Sequence, residues 1–163
     1  MRRAGLLIAA VLAVPAMLVA QQLDNLGSAP AKPKGHVSFA AEQQSVKAGK
    51  PGVLELHFKV DDGFHVNSHT PKSELLIPTT VTMQPAAGVK ASAAVYPAGT
   101  QYSFTFEPNE KLDVYTGEFV VKVSVVAAAG EHTVDGSLHY QACDHAACYP
   151  PKTLPVQVLF TAK

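Results

Sequence analysis

Cys143 and Cys148 are the only cysteines of the 163-residue chain, and both fall in the segment Tyr140-Gln-Ala-Cys-Asp-His-Ala-Ala-Cys-Tyr-Pro-Pro151. Two thiols so close in sequence admit three kinds of chemistry: a structural disulfide, a soft metal site, or a pair cycling between dithiol and disulfide. A bridge across so short a loop restrains the unfolded chain by only about 2 kcal/mol, against about 4.7 kcal/mol for a 100-residue loop. A domain of ordinary size does not depend on that amount. Metal binding would draw on His145 and His139 near the sulfurs, but structural zinc takes four ligands and there is no second cysteine pair. A copper site with soft sulfur ligands stays open. Redox cycling needs both sulfurs within reach of each other and of a partner thiolate, and a small loop between two strands presents them that way. The C-x-x-x-x-C spacing alone leaves all three open.

The rest of the chain adds little competing chemistry. Of the seven histidines, His57, His65, His69, His132, His139 and His145 would form a metal site only if several converged. His65 and His69 stand four apart, which on a strand is about 13 Å of rise, too far for one ion. The expectation is no metal site and no cofactor. No Gly-rich phosphate loop, Ser-His-Asp order or carboxylate pair stands out. Thirteen basic and thirteen acidic residues give a formal charge of zero, with no basic stripe to hold nucleic acid.

Strands must position the cysteines. Leu54, Leu56, Phe58 and Val60 alternate with Glu55, His57 and Lys59, the period-two pattern of a half-buried strand. Phe119, Val121, Val123 and Val125 repeat it, as do Leu138, Tyr140 and Ala142, and Leu154, Val156, Val158 and Phe160. Weaker candidates are Val37 to Ala41, Thr79 to Met83, Ala91 to Tyr96 and Gln101 to Phe106. Turn residues separate the runs at 48–52, Asp61-Asp-Gly63, Thr116-Gly117, Ala129-Gly130 and Asp135-Gly136. No stretch has a helical stripe. The pattern predicts an all-β fold, an immunoglobulin-like antiparallel β-sandwich.

Arg2 and Arg3 followed by an apolar run from Ala4 to Ala20 predict a secretory signal peptide over 1–20. Export to the periplasm would place the cysteines where disulfides form and persist. Residues 21–35, QQLDNLGSAPAKPKG, read as a flexible lead-in, and 36–163 as a single domain. No second apolar run reaches membrane-spanning length.

The whole segment around the cysteines, Tyr140-Gln-Ala-Cys143 and Cys148-Tyr-Pro-Pro151, resembles the active-site hairpin of the N-terminal periplasmic domain of DsbD, the thiol:disulfide interchange protein. Asp62-Gly-Phe-His-Val-Asn-Ser-His-Thr-Pro71 with Leu76-Ile-Pro78 resembles its Gly-Trp/Tyr-His-x-Asn segment. Tyr96-Pro-Ala-Gly99 and Val114-Tyr-Thr-Gly117 follow in the expected order. The resemblance covers most of 36–163. It implies an immunoglobulin-like dithiol carrier that accepts electrons from a thioredoxin-like donor, fed in turn by a membrane electron carrier. It would pass them to periplasmic disulfide-containing proteins. Cys148 matches the cysteine that forms mixed disulfides, and Cys143 the one that resolves them. Phe64, His65 and Asn67 would lie near the hairpin as partner surface. A cap loop would lie around Tyr102 to Lys111, with Phe104 and Phe106 as its aromatic candidates.

Within the hairpin, Tyr140 and Tyr149 read either as an apolar collar around the sulfurs or as strand packing with a satisfied hydroxyl. His145 reads as a solvated loop residue, or as a cation favouring a thiolate that Asp144 would disfavour. Pro150-Pro151 would stiffen the loop exit. The chain departs from the family pattern in having one residue fewer between its cysteines and a loosely matching cap segment, Phe104–Glu110. It also ends at Lys163 without the membrane carrier or the thioredoxin-like domain, so those are expected as separate proteins. Two alternatives stand beside this reading: a noncatalytic binding module with a structural disulfide, and a periplasmic copper- or zinc-binding protein.

Overall fold

The computed structural model describes residues 35–104 and 108–163. The expected signal peptide, nearly all of the lead-in and Phe106 lie outside the described residues. Every regular element within them is a strand: β1 (Val37–Ala40), β2 (Gln44–Val46), β3 (Gly52–Val60), β4 (His65–Asn67), β5 (Thr80–Met83), β6 (Val89–Val95), β7 (Thr100–Tyr102), β8 (Leu112–Tyr115), β9 (Glu118–Ala127), β10 (Gly130–Tyr140), β11 (Ala142–Cys143) and β12 (Lys152–Ala162).

Two four-stranded sheets, ordered β1-β3-β9-β6 and β2-β12-β10-β5, enclose the core of an immunoglobulin-like sandwich. All pairings are antiparallel except the parallel contact of β2 with the end of β12. The alternation read from the sequence is what builds this core. Leu54, Leu56, Phe58 and Val60 from β3 and Phe119, Val121, Val123 and Val125 from β9 meet Val134 and Leu138 from β10 and Val156, Val158 and Phe160 from β12. Each such buried side chain contributes roughly 1.5–3 kcal/mol relative to exposure. Valine-rich β9 suits this role because branched side chains pack well on a pleated surface.

Two positions depart from expectation. Asp135-Gly136 is no turn; both residues lie inside β10, paired with Gln157 and Val156 of β12. Gly136 is there because β5 comes close: a Cβ on it would sit 2.7 Å from the Thr82 carbonyl oxygen and 2.9 Å from the Met83 sulfur. Gly35, assigned to the lead-in, accepts a hydrogen bond from the Tyr140 hydroxyl at 2.7 Å and so belongs to the fold.

A third sheet, β11-β4-β8-β7, carries the cysteines. Its strands are continuations of the sandwich. β3 reaches β4 through the Asp61-Asp-Gly63 turn, where Gly63 has φ of 82°, a left-handed value that favours glycine. β8 runs on into β9, and β10 into β11. Sheet three is thereby fastened to both larger sheets.

Candidate redox site

β11 ends in a tight hairpin whose two limbs carry the cysteines. Cys143 and Cys148 oppose each other as a single antiparallel bridge, with Cα atoms 3.9 Å apart and the sulfurs bonded at 2.06 Å. The Tyr149 amide donates to the Ala142 carbonyl at 2.8 Å, and the Asp144 amide to the Ala147 carbonyl at 2.9 Å. Asp144 organises the turn. Its Oδ1 accepts from the amides of Ala146 (2.7 Å) and Ala147 (2.8 Å), and its Oδ2 from the Tyr149 hydroxyl (2.6 Å). That hydroxyl first, and then the two amides, hold the carboxyl at about 2, so it is ionised at neutral pH. The same bond pushes the Tyr149 phenol upward. A short aspartate side chain bonding amides two and three residues ahead is a turn-former in its own right.

The two sulfurs are unequally placed. Cys143 has 0% exposure, whereas Cys148 is exposed on the outer limb. Of the two, Cys148 is thus the cysteine open to solvent and Cys143 the sheltered one.

β4 supplies the next row. His65 lies directly opposite Cys143 and Val66 opposite Ala142. His65, at 2% exposure, packs beneath Tyr102 (ring centroids 4.1 Å) and Phe104 (5.9 Å), which meet each other edge to face at 5.5 Å. Burial lowers its imidazole below the ordinary 6.5, partly opposed by the charge of Asp144. Among the described residues its Nε2 has no hydrogen-bond partner. Asn67 is also fully buried. Its side-chain amide donates to the Ile77 carbonyl at 3.0 Å, and its backbone carbonyl accepts from Thr79 Oγ1 at 2.6 Å, so it pins the 68–79 loop to the small sheet.

The residues singled out in the sequence thus fall into different places. Phe64 is half-buried, and its ring stacks on His36 at 3.7 Å and approaches Tyr149 at 6.0 Å. His65 and Asn67, expected near the hairpin as partner surface, lie on the strand beside it but are buried, as is every residue of β4. Tyr140 is core packing with a satisfied hydroxyl rather than a collar. Tyr149 and His145 are exposed on the hairpin. Phe104 lies against His65, while Phe106 is outside the described residues. Among the described residues no three His, Cys, Asp or Glu side chains gather as a metal site.

Three contributors escaped the sequence reading. His36 adopts φ of 60°, unusual for a side-chain-bearing residue. It is held by Phe64 and by its Nδ1, 3.3 Å from Asp61 Oδ2. Tyr102 marks the start of the cap region but was not singled out from the phenylalanines. Gln141, inside the quoted cysteine segment, donates to the Tyr149 carbonyl at 3.1 Å and accepts from Asn67 at 3.5 Å, joining hairpin to β4.

A sandwich ending in a disulfide hairpin, with one cysteine open and one sealed, fits a thiol–disulfide interchange module. The family model of the N-terminal domain of the thiol:disulfide interchange protein DsbD matches residues 36–159, and the chain belongs to that family. Similar solved structures include the reduced DsbD N-terminal domain of Neisseria meningitidis, at 18% identity and TM-score 0.43 over 67% of this chain and 81% of that one. A structure of the complex between the DsbD N-terminal and PilB N-terminal domains of the same organism gives 17% and 0.47 over 80% and 88%. The N-terminal periplasmic domain of ScsB from Proteus mirabilis gives 10% and 0.47 over 74% of this chain and 43% of that one. No curated protein matches the chain.

Proposed function

We propose that this chain is a periplasmic protein that carries reducing equivalents through the Cys143/Cys148 pair to disulfide-containing partners, and is itself recharged by a thioredoxin-like donor. The observation that carries this reading is the unequal burial of the two bonded sulfurs in a member of this family. In the reduced chain the Cys148 thiolate attacks a partner disulfide and expels one partner thiolate. Cys143 then attacks Cys148 in the mixed disulfide and releases the second partner sulfur. The partner gains two electrons, and the pair returns to the disulfide. The ionised Asp144 carboxylate, next to Cys143 in sequence, disfavours a thiolate nearby.

One experiment tests the electron carrier together with its export. The Cys143→Ala chain, expressed with residues 1–20, should be recovered from the periplasm without them and disulfide-linked to another protein through Cys148. Cys148→Ala should give no adduct. Adducts only with Cys148→Ala would reverse the assignment of the two sulfurs. None with either variant would favour a binding module with a structural bridge.

A further inference from the structure

His65, Cys143 and Cys148 form one row across three adjacent chain segments, because Cys143 is paired with His65 on one side and with Cys148 on the other. Residues opposite one another on antiparallel strands share a face, with Cβ atoms about 5 Å apart. The sealed sulfur thus has an imidazole as its cross-strand neighbour. That imidazole is 2% exposed, and its Nε2 is unpartnered among the described residues. A buried polar atom without a partner is costly, and such atoms in native folds call for an explanation. His65 also lines a cleft of about 430 Å³ with Asp61, Asp62, Phe64 and Tyr102, which is a route for a proton to water.

The geometry points to His65 as the group that takes the Cys143 proton when Cys143 displaces a partner from Cys148, an inference that rests on the exchange reading above. Cys143 is sealed from solvent and must lose a proton to become a nucleophile. In the step, the Cys143 sulfur bonds to the Cys148 sulfur. The bond from Cys148 to the partner breaks, and the electron pair leaves on the partner thiolate. The Cys143 proton passes to His65 Nε2 and then through the cleft to water. In the opposite direction a donor thiolate attacks Cys148, and protonated His65 returns the proton to the departing Cys143.

Burial keeps the imidazole neutral, which is the form that accepts a proton. The other titratable or charged groups on the elements around it do not compete for this task. Asp144 is engaged by the turn amides and Tyr149, Asp61 by His36, and Asp113 of β8 by the Ser68 hydroxyl at 3.0 Å. Asp62 is exposed, and Tyr102 meets His65 through its ring.

The test is stopped-flow oxidation of the reduced chain by dithiobis(nitrobenzoate), which releases one coloured thiolate when Cys148 is modified and a second when Cys143 resolves the adduct. Only the first phase scales with reagent concentration. In the unaltered chain the second phase should be nearly independent of pH between the imidazole value and the ordinary thiol value of about 8.5. With His65→Gln it should be at least tenfold slower at pH 7, within the range usual for general-base groups, and should fall about tenfold per pH unit. The first phase should stay within about twofold. His65→Tyr keeps an aromatic ring beneath Tyr102 without a base that works near neutrality, and should be as slow as His65→Gln. If His65→Gln does not fold, His65→Tyr decides. A second phase of normal rate and pH profile in either folded variant would overturn the inference. Two phases slowed in parallel would also overturn it, since that marks lost packing. No second thiolate from the unaltered chain would overturn the exchange reading, and His65's role with it.

Discussion

The sandwich and the small sheet are built on opposite principles. In the sandwich, β3, β9, β10 and β12 run nine to eleven residues, and most turn one face inward and the other to solvent. In the small sheet, β4, β7, β8 and β11 run two to four residues, and β4 and β11 bury every residue they have. Strands so short cannot hold together alone in water. They are held by what they continue from, and by side chains that bond across gaps. All the buried polar side chains among the described residues, His65, Asn67, Ser68 and Thr79, belong to this end of the molecule. The sandwich holds most of the apolar core and repeats one rule; the small sheet breaks that rule where the disulfide sits.

The largest expected effect separates the two. Leu56→Ala deletes a side chain with 0% exposure from β3 and should cost about 2–5 kcal/mol of unfolding free energy in urea. The rate of Cys148 alkylation in the folded, reduced protein should not change. If it rises severalfold below the unfolding transition, the two regions are not independent and the comparison fails.

Asn67→Ala probes the other side at smaller cost. It leaves the Ile77 carbonyl without its partner, a loss of about 1–3 kcal/mol. Amide hydrogen exchange should quicken most in 68–79 and in the hairpin, which Gln141 ties to Asn67, while the β3–β9 amides quicken by no more than the loss of global stability. Uniform quickening would mean that the small sheet has no separate opening.

The smallest effect sharpens the picture of the hairpin itself. The Asp144 carboxyl is lowered from 3.8 to about 2 in the folded chain. A lowered value means that its contribution is fully present above 3.8 and is lost as pH falls through about 2. The Ala146 and Ala147 amide resonances should titrate with that low midpoint. Tyr149→Phe removes the largest cause and should move the midpoint up toward 3.8. An unmoved midpoint would leave the backbone amides alone as the source.

The same contrast explains what could be read in advance. Leu54 to Val60, Phe119 to Val125 and Leu154 to Phe160 were legible because their strands have one wet face and one dry one, which writes a period of two into the sequence. β2, β4 and β8 were not, being three or four residues long, too short to display a period. Asp135-Gly136 misled because the same dipeptide serves a turn or a close approach of strands, and only the neighbour β5 decides between them. The cysteine segment was legible as a unit of chemistry, and its surrounding motifs led to the family that the chain belongs to.

By itself, then, the sequence determined the all-β character, the paired thiols and the residues grouped around them, because these rest on local composition and on the alternation that solvent imposes along a strand. Tertiary structure alone decided that Cys143 is sealed and Cys148 open, that His65 stands across from Cys143, and that Tyr140 belongs to the core. Those facts depend on pairing between segments distant along the chain. A strand's own residues do not record which neighbour lies beside them or which of their faces it covers.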